Sequence, residues 1–207
     1  MTAATTRTSN SLKRLAAVSL LIASGANLAG CIEAAFIGGT AAGVLVATDR
    51  RQPEIIGGDE RVEWTASVRI NERYQDKVHV NVTSYNYATV LTGEVPDAKI
   101  KADIERVVMQ VPQVKNVVNE IQVAGMSTFS ARGNDSFLTG KVKGGFVSAN
   151  KFSANHVKVV TEAGVVYLLG LVTRQEADDA TNIARTTSGV LKVVRIFEYI
   201  SADQAKR

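Results

Sequence analysis

Residues 78–118 and 155–194 spell one pattern twice. In Val78-His79-Val80-Asn81-Val82-Thr83 apolar and polar residues alternate, as a half-buried strand requires, and Ala88–Val95 supplies a second strand after a turn. His156-Val157-Lys158-Val159-Val160 and Val165–Val172 repeat both: Val80, Val82, Leu91, Gly93 and Val95 return as Val157, Val159, Leu168, Gly170 and Val172 at a constant spacing of 77 residues. A helical stretch follows each hairpin, starting near Asp97 and near Thr173. A last strand closes each copy, Val114-Lys115-Asn116-Val117-Val118 and Val190-Leu191-Lys192-Val193-Val194, now 76 residues apart. With a helix ahead of each hairpin, both copies read α-β-β-α-β, an internal repeat of one small unit. Gly93 and Gly170 stand inside a strand pattern, which predicts a bulge or a close backbone approach at the same place in each copy.

The 207 residues suit one large or two small domains, and 45% apolar with 21% charged residues is a globular composition. Arg7, Lys13 and Arg14 precede an apolar run, Leu15–Ala26, of twelve residues. That is too short for a bilayer span, which needs roughly 20. The run ends in Leu28-Ala29-Gly30-Cys31, where small residues lead into the one cysteine of the chain. This resembles the lipobox of bacterial lipoproteins, in which cleavage leaves the cysteine as an acylated amino terminus. Ile32, rather than Asp, in the next position implies sorting to the outer membrane, facing the periplasm. Three of the 24 basic residues and none of the 20 acidic ones fall before Cys31, so the remainder carries a net charge of +1 and nucleic acid is not an expected partner. Ala34–Ala47 is uncharged and glycine-containing, too short to be a second span, and Pro53, Gly57 and Gly58 read as linker punctuation. The expected organisation is a signal peptide over 1–30, a lipidated tether over 31–58, a first domain over 59–125, a linker over 126–134, a second domain over 135–200 and a tail over 201–207.

The glycine-bearing second strand and the Val-x-x-Val-Val run after the second helix are features that resemble the BON domain. Two such domains behind a lipobox are similar to the dual-BON outer-membrane lipoproteins, the division- and outer-membrane-stress-associated lipid-binding proteins. The resemblance implies an α+β fold in which each copy packs a small mixed three-stranded sheet against two helices.

The first helix of the second copy carries the unusual local signal. Asp135 or Ser136 reads as its N-cap. Leu138, Val142 and Phe146 share one stripe at helical spacing, a core face, while Phe137, Gly140, Gly144 and Val147 form a second stripe flanked by Lys141 and Lys143 and continued by Lys151. Interior glycines each cost about 1 kcal/mol relative to alanine, so Gly140, Gly144 and Gly145 call for compensation. Close approach of lipid is one reading; a short helix ending at Gly144, with Phe137 packed under the first copy, is the other. The charge balance, −2 over residues 59–125 and +3 over 133–207, points to the second copy as the one nearer an anionic surface. The resemblance implies anionic phospholipid binding through this helix, by Ser136, Phe137, Leu138, Gly140, Lys141, Val142, Lys143, Gly144 and Val147, and accumulation at division sites in support of envelope integrity. The alternative is an adaptor that docks on envelope assembly or division proteins. Trp64, between Glu63 and Thr65 in the opening helix of the first copy, is expected in the core or the domain interface.

Chemistry is sparse. His79 and His156 take equivalent places and read as solvent-facing strand residues with no ligand cluster around them, so no metal and no cofactor is expected. No serine has a positioned base and acid beside it, which argues against nucleophilic catalysis.

Overall fold

The computed structural model describes residues 49–206. The signal peptide, Cys31 and the tether up to residue 48 lie outside the described residues. Helix α1 (Pro53–Tyr74) leads into β1 (His79–Tyr85), β2 (Ala88–Val95), α2 (Ala98–Met109) and a last strand in two pieces, β3 (Asn116–Asn119) and β4 (Gln122–Val123). The second copy follows as α3 (Phe129–Ala149), β5 (Val157–Glu162), β6 (Val165–Val172), α4 (Arg174–Thr186) and β7 (Lys192–Tyr199). Each sheet is mixed: β1 and β2 are antiparallel with Val82 opposite Leu91, and β2 and β3 are parallel. Likewise β5 and β6 are antiparallel with Val159 opposite Leu168, and β7 runs parallel to β6. In the first copy the closing strand is interrupted where the Asn119 side chain accepts from the Ile121 N–H at 3.2 Å, and β4 resumes the pairing with β2.

Local chemistry sets the helix starts. Asp97 caps α2 by accepting from the Ile100 N–H at 2.9 Å, and Thr173 forms a reciprocal capping box with Glu176 on α4. The two opening helices start earlier than expected. Pro53 begins α1, where its missing N–H costs nothing, and Thr128 caps α3 through the Ala131 N–H at 3.2 Å. The stretch 126–134 is therefore helical from Phe129, as 53–58 is in α1, and Asp135 is not a cap. Instead Asp135 is buried in the helix and its two oxygens accept from the Ala163 and Gly164 N–H groups of the β5–β6 turn, both at 2.9 Å. Asp59, 76 residues earlier, holds the β1–β2 turn in the same way through the Asn86 and Tyr87 N–H groups, both at 2.8 Å. One buried carboxylate per copy thus pins helix to hairpin.

Three apolar clusters result. Val62, Ala66 and Ile70 of α1 pack on Leu91, Val95, Ile104 and Val108, and Val142 and Phe146 of α3 pack on Val159, Leu168, Val172 and Ala180. The third cluster joins the copies: Tyr85 and Val90 from the first sheet meet Tyr167 and Leu169 from the second, with Val118, Val160 and Ile196 around them. The sheets therefore stack back to back, with the helices outside. Glu63 takes the Lys158 ammonium at 2.7 Å across this seam, and Asn86 donates to Glu198 at 2.6 Å. Ahead of α1, Arg50 forks onto Glu176 with two hydrogen bonds of 2.8 Å and reaches the Leu171 carbonyl, while Arg51 binds Asp49 and Asp59 and lies 4.0 Å over the Tyr85 ring.

The shared glycines mark a close approach. Gly93 has φ +111°, and a Cβ there would overlap the His79 carbonyl, whose carbon would lie 2.9 Å away; a Cβ on Gly170 would overlap the His156 carbonyl oxygen in the same manner.

Candidate functional site

Helix α3 buries one face and leaves the opposite one bare. Leu138, Val142 and Phe146 are core residues, as their spacing predicts. At about 100° per residue, Phe129, Gly133, Ser136, Phe137, Gly140, Gly144 and Val147 fall within one stripe about 100° wide on the other side, about 27 Å long from the first to the last. Phe129 is 91% exposed, Phe137 65% and Val147 67%, and Ser136 is exposed beside them. Among the described residues, nothing beyond the helix's own backbone and the adjoining residues lies within 4 Å of where a Cβ on Gly133, Gly140 or Gly144 would sit. Gly145 differs: Ile183 of α4 packs against it, 2.8 Å from the position of a Cβ, so close helix packing explains that glycine. The helix runs past Gly144 to Ala149, and Phe137 does not tuck beneath the first copy.

Lysines edge the stripe. Lys141 donates to the Ser188 carbonyl at 2.5 Å and its ammonium lies 5.7 Å from the Phe137 ring centroid; Lys143 is half-buried on the other edge. Lys151 is committed to Asp179 at 2.6 Å. Two residues of the expected site leave it: Leu138 and Val142 are sealed in the core and cannot touch an external ligand, because they sit on the far side of the helix from Phe137. Phe129 joins it. A helix read as capped by Asp135 begins after Phe129; Thr128, a good capping residue, is the signal that places Phe129 on α3.

Trp64 lies neither in the core nor in the domain interface: it is 73% exposed on the outer face of α1, and its neighbour Glu63, about 100° around the helix, accepts from Lys158 across the seam and from the Ser84 N–H within the first copy.

The histidines are not solvent-facing. His79 is met by Glu162 of the other copy, and His156 by Glu176 of its own. His79 Nδ1 lies 2.9 Å from Glu94 Oε2 and 3.9 Å from Glu162 Oε1, so it does have a cluster of ligand-type side chains around it, the opposite of the expectation. Burial works against the Glu94 charge, yet the His79 and Ser127 hydrogen bonds hold its pKa below the usual value; burial pushes Glu162 up, against the pull of Asn81. His156 precedes β5 with Nδ1 3.6 Å from Glu176. Burial opposes ionisation of Glu176 too, and the Arg50 fork and the Thr173 N–H overcome it, bringing the pKa down to about 2. Tyr85 and Tyr167, buried between the sheets, are pushed up to about 12. Among the described residues no helix is long and apolar enough to cross a membrane.

Two α-β-β-α-β units stacked through their sheets define the class: the chain belongs to the BON domain family, whose model matches residues 66–125 and 134–200. Outer membrane lipoprotein DolP of Haemophilus influenzae is 37% identical over 191 residues, 91% of this chain and 97% of its own length. The 21 kDa hemolysin of Actinobacillus pleuropneumoniae is 28% identical over 142 residues, 69% of this chain and 72% of its own. Among solved structures, CdsD, a structural protein of the type III secretion system of Chlamydia trachomatis, covers 71% of this chain and 94% of its own at 13% identity, with a TM-score of 0.30. The chain is thus an outer-membrane lipoprotein with two BON domains.

Proposed function

We propose that this lipoprotein is tethered through acylated Cys31, faces the periplasm, and binds anionic phospholipid with the bare face of α3. In this role it supports outer-membrane integrity, with division sites as the place of action that the family resemblance implies. The observation that carries the reading is the bare stripe of Phe129, Phe137, Gly140, Gly144 and Val147, apolar where a surface helix is ordinarily polar. Phe129 at one end of the face and Phe137 near its middle can enter the acyl boundary, the glycines leave the backbone near the headgroups, and Lys141 and Lys143 stand at phosphate level. Attraction of each lysine to an anionic surface contributes about 1 kcal/mol. Ser136 is exposed at the margin of the stripe, with its hydroxyl donating to the Arg132 carbonyl at 3.1 Å.

Co-sedimentation with vesicles of phosphatidylglycerol and phosphatidylethanolamine tests this. Phe137→Glu places a charge in the acyl boundary and is expected to abolish the binding that the unaltered chain shows, with Phe129→Glu weakening it. Binding unchanged in both variants overturns the helix assignment. A stoichiometric protein crosslink to this face without any vesicle binding would establish the adaptor reading in its place.

A further inference from the structure

At one end of the seam between the sheets the packing turns from hydrocarbon to charge. His79 of β1 and Glu94 of β2 are cross-strand partners, and Glu162, the last residue of β5, comes from the other copy. Their side chains are only 16%, 7% and 6% exposed. One nitrogen and two carboxylate oxygens, one from each residue, lie within 4.8 Å of one another. The geometry points to a binding site for a single divalent transition-metal ion, zinc foremost, held by His79, Glu94 and Glu162 and bridging the two BON domains.

The distances suit such an ion. Ligands at about 2.0–2.2 Å around a tetrahedral zinc stand about 3.3 Å from each other. The observed separations from His79 Nδ1, 2.9 Å to Glu94 and 3.9 Å to Glu162, bracket that value, and the longer one is too great for a hydrogen bond. Two nearly buried carboxylates face one imidazole, a donor set of one nitrogen and two oxygens. Arg132, which follows Ser127 in the chain, is engaged by the Ser127 hydroxyl at 3.1 Å and carbonyl at 3.0 Å. Asp135, the other acidic group near Glu162, gives both oxygens to the β5–β6 turn.

The candidate ligands are also oriented, as metal ligands are. Asn81 donates to Glu162 Oε2 at 2.7 Å, leaving Oε1 toward His79, and the Ser127 N–H holds Glu94 at 3.1 Å. One imidazole with two carboxylates favours a borderline ion such as zinc over magnesium, which keeps its waters. The residual exposure of His79 leaves a path for the ion and for a water in the fourth position.

Zinc chloride titrated into the mature, acylated, untagged chain in detergent micelles tests this by calorimetry. The expected result is one zinc per chain, with magnesium failing to compete. His79→Gln and Glu162→Gln are each expected to weaken binding at least tenfold while the far-ultraviolet circular dichroism is retained. Zinc X-ray absorption of the unaltered chain needs no variant and is expected to show a nitrogen and oxygen shell with one imidazole. Absence of saturable uptake, uptake unchanged in both variants, or a shell with two imidazoles overturns the site.

Discussion

Leu168 and Leu169 are neighbours on β6 that point to opposite faces, so truncating each in turn separates two architectures. Leu168 lies in the core beneath α3 and α4; Leu169, 1% exposed, lies between the sheets with Tyr85, Val90 and Tyr167. Each Leu→Ala change removes three carbons, about 2.4 kcal/mol of transfer free energy at ~0.8 kcal/mol per group, before any cavity cost. Buried Leu→Ala substitutions span about 2–5 kcal/mol for that reason. If each domain were an independent body, Leu169 would sit on a wet sheet face and its truncation would cost within about 0.5 kcal/mol. Stacked sheets make both substitutions expensive. With a urea slope of about 2 kcal/mol/M, a loss of ~2.5 kcal/mol lowers the midpoint by about 1.2 M. Urea unfolding of the mature chain, followed by circular dichroism, is expected to show comparable shifts for Leu168→Ala and Leu169→Ala. A shift below about 0.3 M for Leu169→Ala beside a full shift for Leu168→Ala would refute the stacked arrangement.

Gly93→Ala combines a positive-φ penalty of about 1–3 kcal/mol with a backbone clash at His79, and is expected to cost at least about 3 kcal/mol in the same unfolding assay. Gly170→Ala meets the clash without the positive φ and is expected to cost less; equal losses would dismiss the conformational part of the argument. For Glu176 the folded pKa is depressed to about 2, so its stabilising contribution is present above the unfolded value near 4.5 and is lost as pH falls toward 2. Because this group is partly solvated, screening reduces the contribution to about 1–2 kcal/mol. Arg50→Ala is therefore expected to cost that much at pH 6 and much less at pH 2.5, and an identical cost at both values would exclude the ion pair as the cause.

Where periodicity alone decides structure, the reading from residues held. Strands β2 and β6 span the two segments that the repeat marks out, Asp97 and Thr173 cap their helices, and Leu138, Val142 and Phe146 form the inner face of α3. It failed where an element's surroundings come from the other copy. His79 and Asn81 alternate with valines as solvent-facing residues do, but they border a seam, met from the other copy by Glu162, that one domain cannot reveal. Asp135 resembled a cap because aspartate is common there; the turn it holds, 28 residues on, lies beyond any local window. Of the lipid-facing candidates, the outward stripe is legible from spacing, and the same spacing puts Leu138 and Val142, which the family resemblance adds, on the inner face. Cys31 lies outside the described residues, so its role rests on the motif.

The two arginines ahead of α1 carry a mechanical consequence. Arg50 grips the second copy at Glu176 and Leu171, and Arg51 grips the first at Asp59. A pull arriving from the amino-terminal side is therefore split between both halves before it can peel α1 away from its sheet. The chain enters its folded body through a rivet instead of a hinge.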